Sequence, residues 1–377
     1  MGHPLSLLVK PASGLCNLRC AYCFYHDEQT QRKLAERGMM SEETLDLILK
    51  KAFMEAEGSV SIAFQGGEPA LAGISFFRHA FDAERRFNTR HLPVAWAFQT
   101  NGTLLDDEWC AFLAKSPMLV GISVDGTAAI HNQWRHDSSG NNTYSKVVAA
   151  TRRLSAHGVP FNILSVVTHQ MAAHARDVYA SYRKNGWRHQ QFIPCLDSLG
   201  MPSGECSWLL SSEDYGSFLI ELFGCWKKDF LRGDQPSIRR FDNWLGILLG
   251  QLPEACDMRG ICSAQYAFEA DGSCYPCDFY MLDSQLLGTI QDAGFADFDC
   301  RRHEIGFIEA SLALPERCQD CPYVDLCRGG CRRLRSDGEA GGPALFRFCD
   351  AYRAFFDACL SDMKECAELL RCPPRHI

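Results

Sequence analysis

Leu5-Ser6-Leu7-Leu8-Val9-Lys10, a β-rich apolar run, leads through Pro11-Ala12-Ser13-Gly14-Leu15 into Cys16-Asn17-Leu18-Arg19-Cys20-Ala21-Tyr22-Cys23. The spacing C-x3-C-x2-C puts three thiols on one tight loop directly after a strand. Three thiolates so spaced can hold three irons of a [4Fe-4S] cube and leave the fourth iron without a protein ligand. An open iron can chelate the amino and carboxylate groups of S-adenosylmethionine (SAM), so that an electron from the cluster breaks the sulfonium bond and yields a 5'-deoxyadenosyl radical. A structural zinc site is the competing reading of this loop. It needs a fourth ligand, and His26 is the residue at hand.

To about residue 200 the chain alternates β-rich runs with amphipathic stretches. Strands are expected at 5–10, 60–64, 94–99, 119–123, 162–167 and 190–193, and helices at 41–56, 76–87, 106–114, 144–156 and 172–184. Ser41 can cap its helix, with Glu42 and Glu43 favourable in the first turn. Such alternation requires right-handed crossovers and a parallel sheet, open or closed into part of a barrel. Sheets of this kind place ligands at the carboxyl ends of their strands. After Leu231-Arg232-Gly233-Asp234-Gln235-Pro236 the alternation stops and cysteines crowd into the remaining third. The expected boundary therefore divides 1–236 from 237–377. In the second part Asp271-Gly272 reads as a hairpin turn between 266–268 and 274–280, and 346–370 as a closing helix.

With 377 residues, 46% hydrophobic and 22% charged, the chain has globular composition and can build its cores without staples. Lys plus Arg is 38 against 46 for Asp plus Glu, a net of −8, which argues against nucleic acid or anionic membrane as partner. No window approaches the roughly 18 apolar residues of a membrane span, and the short run Leu5 to Val9 is too small for an export signal. Met1-Gly2-His3-Pro4-Leu5-Ser6 fits a loose myristoylation pattern and is read as chance. The abnormal number is 20 cysteines. In a reduced, cytoplasmic protein an array of this density is read first as a metal framework.

Gly66-Gly67-Glu68-Pro69 follows the second expected strand, Thr100-Asn101-Gly102-Thr103 the third, and Ser123-x-Asp125-Gly126, with His131 and Arg135 beyond it, the fourth. All sit at carboxyl ends of strands. In this order, after the three-cysteine loop, they resemble the radical SAM superfamily across the first part of the chain. The resemblance implies a partial (β/α)6 TIM-like barrel. It also implies that Cys16, Cys20 and Cys23 hold the SAM cluster, that Gly67, Ser123 and Arg135 hold SAM, and that Tyr22 and Leu196 supply backbone or apolar contacts to it.

A second array reads Cys262-x9-Gly272-x4-Cys277, then Cys318-x2-Cys321-x5-Cys327-x3-Cys331, then Cys349, with Cys256 upstream. It resembles the SPASM domain, a Cys-rich module binding two auxiliary clusters. By that pattern Cys256, Cys262, Cys277 and Cys331 close auxiliary cluster I, and Cys318, Cys321, Cys327 and Cys349 close auxiliary cluster II. Full thiolate ligation leaves no open iron and suits electron transfer. Paired zinc ribbons would also use eight cysteines. Eleven of the 20 cysteines are then ligands. The other nine are Cys110, Cys195, Cys206, Cys225, Cys274, Cys300, Cys359, Cys366 and Cys372; most are expected to be buried small hydrophobes. Cys274, three residues before Cys277, is the one that could substitute as a ligand.

The likeness is most specific in Cys16 to His26, Phe64-Gln65-Gly66-Gly67-Glu68-Pro69, Tyr275-Pro276-Cys277-Asp278-Phe279-Tyr280 and Gly329-Gly330-Cys331-Arg332-Arg333. These resemble the anaerobic sulfatase-maturating enzymes, which oxidise one Cys or Ser of a sulfatase to Cα-formylglycine. The resemblance implies three [4Fe-4S] clusters and SAM as cofactors, and an unfolded sulfatase segment with a C/S-x-P-x-R motif as substrate. It implies a reducing donor such as flavodoxin or ferredoxin, Asp278 as proton acceptor, and Tyr25 and Gln65 beside the peptide. The chemistry is coherent, because hydrogen loss from Cβ leaves a radical that must shed one proton and one electron, and Asp278 adjoins the ligand Cys277. Two alternatives stand: another SPASM peptide modifier, making thioether crosslinks or maturing a peptide-derived cofactor, and a zinc-scaffolded binding protein without catalysis.

Overall fold

A computed structural model describes residues 4–199, 206–335 and 343–371. Cys372 and the Met1-Gly2-His3 start lie outside the described residues. Among the described residues ten strands form one sheet: β1 (Leu5–Val9), β2 (Val60–Phe64), β3 (Val94–Thr100), β4 (Met118–Ser123), β5 (Phe161–Val167), β6 (His189–Pro194), β7 (Ser237–Ile238), β8 (Tyr266–Phe268), β9 (Ser273–Tyr275) and β10 (Gly288–Thr289). Their order is β10-β9-β8-β1-β2-β3-β4-β5-β6-β7. Neighbours from β1 to β7 pair in parallel, as the β/α alternation requires.

Strand periodicity of two separates the faces. Leu7, Val9, Ile62, Phe64, Trp96, Phe98, Val120 and Ile122 are buried in the main core. The opposite face carries Leu8, Ala63, Ala97, Gly121, Asn162 and Gln191, which together with Ser237 of β7 border a single cavity of about 710 Å³. Residues from β1 through β7 around one cavity mean that the sheet curls into a partial barrel. A filled barrel packs bulky branched side chains inward. Here the paired Ala63 and Ala97, and Gly121 beside Asn162, leave the interior hollow.

The structure extends the expected pattern, adding among others the helices Ala128–Trp134, Arg239–Leu248 and Phe295–Glu304. The helix expected at 172–184 is two, His169–Ala172 and Ala175–Lys184, because Thr168 accepts from the Met171 amide and starts a turn early. A helix that the sequence reading did not assign, Ser212–Phe230, is capped by Ser211 and buries Tyr215, Phe218, Leu222, Phe223 and Trp226. It packs on the closing helix, Cys349–Arg371, where Gly216 allows close approach: a Cβ there would lie 3.2 Å from Ala351 Cα. The hairpin turns at Asp271-Gly272 as expected, but its second strand ends at Tyr275, and Asp278–Tyr280 is a 3-10 turn. β8 pairs in parallel with β1, so strands on both sides of residue 236 belong to the same sheet. Among the described residues, no helix is long and apolar enough to cross a membrane.

Candidate cluster and substrate site

The three-cysteine loop leaves the end of β1 and closes on the helix Phe24–Thr30, whose N-cap is Cys23. It is tied down by backbone bonds from Arg19 N to His136 O (2.8 Å) and Ala21 N to Trp134 O (3.1 Å). His26, the fourth ligand of the zinc alternative, is exposed on that helix. Gly66 and Gly67 both have positive φ, 87° and 22°. At Gly67 a Cβ would fall 2.1 Å from the Leu15 carbonyl oxygen, so the turn reaches the cysteine loop only as glycine. Glu68, fully buried, accepts from Ala70 N (2.9 Å), Thr100 Oγ1 (2.7 Å) and Asn101 N (2.8 Å). One carboxylate thereby locks the ends of β2 and β3 together. Asn101 in turn donates to Asn17 Oδ1 (2.8 Å), within the cysteine loop.

After β4, Asp125 is the centre of a second buried knot. It receives Arg135 Nε (2.8 Å), the Val166 amide (2.9 Å) and the Tyr22 hydroxyl. Burial opposes its ionisation, but the charge and hydrogen bond of Arg135, with His131 and the Tyr22 hydroxyl, together outweigh it and hold the carboxyl below its usual range. His131 accepts from the Asp125 amide (3.2 Å) and meets Thr143 Oγ1 (3.0 Å); burial, and then Arg135, push its pKa down to about 4. It is a neutral brace. The Arg135 guanidinium also lies 3.9 Å from Cys20 Sγ.

The carboxyl ends of the strands enclose a cavity of about 360 Å³. Cys16, Cys20 and Cys23 line it, as do all five expected SAM contacts, Tyr22, Gly67, Ser123, Arg135 and Leu196, and so do Tyr25, Gln65 and Asp278. On its far wall Asp278 Oδ2 accepts from Gln65 Nε2 (2.9 Å) and the Tyr25 hydroxyl (3.3 Å). Burial raises the Asp278 pKa, against the lowering influence of Cys277, Lys10 and Tyr25. This cavity shares Gln65, Gln99, Leu164, Gln191 and Arg239 with the larger lumen, so the two adjoin.

The second array separates in space into two groups. Cys318, Cys321, Cys327 and Cys349 line one small pocket. Cys256, Cys262 and Cys331 line another, and Cys277 interacts electrostatically with Cys331 and Cys256. Cys327 and Cys331 are both pushed up to about 12, and Cys20 likewise, chiefly by burial. Clustered buried thiols ionise when a cationic group shares their site, which is the condition that iron ligation meets. Cys274 is buried in the hydrophobic core on β9, beside Arg302 and Asp299. Of the other extra cysteines, Cys110, Cys195, Cys359 and Cys366 are buried, Cys206 and Cys225 partly so, and Cys300 is exposed.

Sequence reasoning missed a buried ionic cluster behind the Asp278 wall. Lys10 and Arg32 both donate to Glu269 Oε1, at 2.8 and 2.6 Å, and Ser13 donates to its Oε2 at 2.6 Å. Glu28 is buried beside them, with the Met281 backbone amide facing its carboxyl. The available signal was Lys10 itself, a charged residue directly after a mostly apolar strand.

The family model of the radical SAM superfamily matches residues 11–179. The cysteine-type anaerobic sulfatase-maturating enzyme of Clostridium novyi (strain NT) is 41% identical over 366 residues, covering 97% of this chain and 98% of that protein. The serine-type enzyme of Bacteroides thetaiotaomicron is 28% identical, covering 94% of this chain and 89% of that protein. Among solved structures, native anSMEcpe with bound AdoMet and Cp18Cys peptide aligns with a TM-score of 0.92 at 42% identity, over 98% of this chain and 100% of that one.

Proposed function

Because the chain belongs to the anaerobic sulfatase-maturating enzymes of the radical SAM superfamily, we propose that it oxidises a cysteine of an unfolded sulfatase segment to Cα-formylglycine. The observation that carries the reading is the Cys277-Asp278 pair: the carboxylate faces the cavity of the three-cysteine loop, and the thiol belongs to the neighbouring group of four. Residues 1–236 are read as the radical SAM catalytic domain and 237–377 as the auxiliary-cluster domain. The donor sets fit three [4Fe-4S] clusters, on Cys16, Cys20 and Cys23, on Cys256, Cys262, Cys277 and Cys331, and on Cys318, Cys321, Cys327 and Cys349. Tyr22, Gly67, Ser123, Arg135 and Leu196 fit SAM beside the first.

When bound, these groups supply a 5'-deoxyadenosyl radical to take a hydrogen atom from the substrate Cβ, and an acceptor for one electron. The rest falls to the protein's own side chains. Gln65 and Tyr25 fix Asp278 Oδ2, and the carboxylate takes the proton of the substrate thiol. Its raised pKa brings it closer to that of the thiol it serves, which favours general-base catalysis. Loss of hydrogen atom, proton and electron gives a thioaldehyde; water then replaces sulfur, releasing hydrogen sulfide and leaving the aldehyde. The flanking peptide runs on into the larger lumen, where amides such as Gln99, Asn162 and Gln191 can both donate to and accept from a peptide backbone whatever its side chains.

Cysteine is favoured over serine as the target because the likeness is 41% to the cysteine-type relative and 28% to the serine-type one. A C/S-x-P-x-R segment as substrate, a flavodoxin or ferredoxin as donor, and a cytoplasmic setting complete the reading. Reduced enzyme with SAM and a peptide containing C-T-P-S-R should lower the peptide mass by about 18 units, the exchange of SH and H for a carbonyl oxygen. A loss of about two units retained as a crosslink would point instead to thioether chemistry.

A further inference from the structure

Lys10 is fully buried at the end of β1, where an ammonium is costly unless its charge is met. Its Nζ donates to Glu269 Oε1 at 2.8 Å, approaches Met281 Sδ at 3.5 Å, and lies 4.7 Å from the centroid of the Tyr25 ring, within cation–π range. Its stem fills the space over Gly66, where a Cβ would fall 2.4 Å from Lys10 Cγ. One side chain thus touches the glycine turn of the expected SAM site, the ring whose hydroxyl meets Asp278, and Met281 just past the Asp278–Tyr280 turn.

We propose that Lys10 is a positioning residue for Asp278, holding the Tyr25 ring and the Asp278 turn at a fixed separation from the Gly66 turn. The proposal rests on the reading of Asp278 as proton acceptor. Tyr25 and Gln65 grip a single carboxylate oxygen, so the aim of Asp278 depends on where the ring stands, and the ring's face is set by the ammonium. The arrangement joins three segments far apart in sequence: the end of β1, the helix after the cysteine loop, and the segment around Glu269 and Met281. A misplacement of about 1 Å at a reacting group costs on the order of 10²-fold in rate.

Lys10→Met keeps the length of the stem and removes the ammonium, while Arg32 and Ser13 still satisfy Glu269. The ratio of 5'-deoxyadenosine to peptide aldehyde should rise roughly 10- to 100-fold, with kcat for aldehyde falling and the peptide KM moving less than about threefold. Lys10→Arg should restore part of the coupling. Placing Lys10→Met on Asp278→Asn should add nothing to the single Asp278 defect, since both act on one group. An unchanged ratio in Lys10→Met, or an additive loss in the double variant, overturns the proposal. If Lys10→Met fails to retain its iron, Glu269→Gln is read in its place, with the same rise expected and an unchanged ratio decisive against. If Asp278→Asn alone leaves aldehyde formation intact, it is the acceptor reading that fails.

Discussion

Asp278→Asn separates base chemistry from geometry. The amide is nearly isosteric, and its oxygen can still accept from Gln65 Nε2 and the Tyr25 hydroxyl, which stand 2.9 and 3.3 Å from the carboxylate. The turn therefore persists, and what disappears is the group proposed to accept the thiol proton. Tyr25, the next oxygen along, is no substitute base: burial, and then Asp278 itself, raise its pKa well above the ordinary phenol range. General-base catalysis contributes about 10²- to 10⁴-fold, about 2.7 to 5.4 kcal/mol at 1.36 kcal/mol per decade. With Tyr25 excluded as a substitute, the upper half of that range is expected. The assay is an anaerobic turnover with reduced enzyme, SAM and a cysteine peptide, quantifying 5'-deoxyadenosine by chromatography and aldehyde by mass spectrometry. 5'-Deoxyadenosine should accumulate while aldehyde does not. Aldehyde formation within about threefold of wild type, well inside the range a lost base must exceed, would refute the role given to Asp278.

Two further outcomes follow from other parts of the molecule. Reconstituted protein should carry about 12 irons, and replacing Cys16, Cys20 and Cys23 by Ala should leave about eight, since each group of thiols is separate; stoichiometric zinc in place of iron would contradict the donor assignment. Glu28, raised to about 8 chiefly by burial, holds a proton in the folded state that the unfolded chain gives up near 4.5. Its contribution to stability is thus full below that value and is lost as pH rises toward 8. Anaerobic thermal melts of the holoenzyme at pH 5.5 and 8 should show a smaller fall in Tm for Glu28→Gln than for wild type, and equal falls would remove Glu28 as the cause.

Much of this architecture was legible because it is periodic or spaced. Alternating apolar strands, Ser41 as a cap and the cysteine intervals are local signals, and β1 to β6 stand within a residue of where the sequence puts them. The helix Ser212–Phe230 was equally periodic, yet it falls between the last expected strand and the expected boundary at 236, where β/α alternation gives no cue. The pairing of β8 with β1 is non-local: three residues, Tyr266–Phe268, join a strand some 260 positions earlier, and nothing in either segment names the other. The same holds for the site. Cysteines and glycines announce themselves by spacing, whereas Asp125 with Arg135, Glu68 with Thr100 and Asn101, and Lys10 with Glu269 become partners only once the barrel has closed. A buried charge is invisible in a sequence until its counter-charge is found in space.

If the barrel cavity brings the Cβ of a cysteine residue to the adenosyl radical, the hydrogen that the radical gains comes from that carbon, and isotope transfer reads this out. A peptide whose target cysteine carries deuterium at both Cβ positions is incubated anaerobically with reduced enzyme and SAM, and the 5'-deoxyadenosine is weighed. One deuterium transferred per turnover, in step with aldehyde formation, is the result expected. Unlabelled 5'-deoxyadenosine from a peptide that is nevertheless oxidised would place the abstraction at another atom and contradict the account.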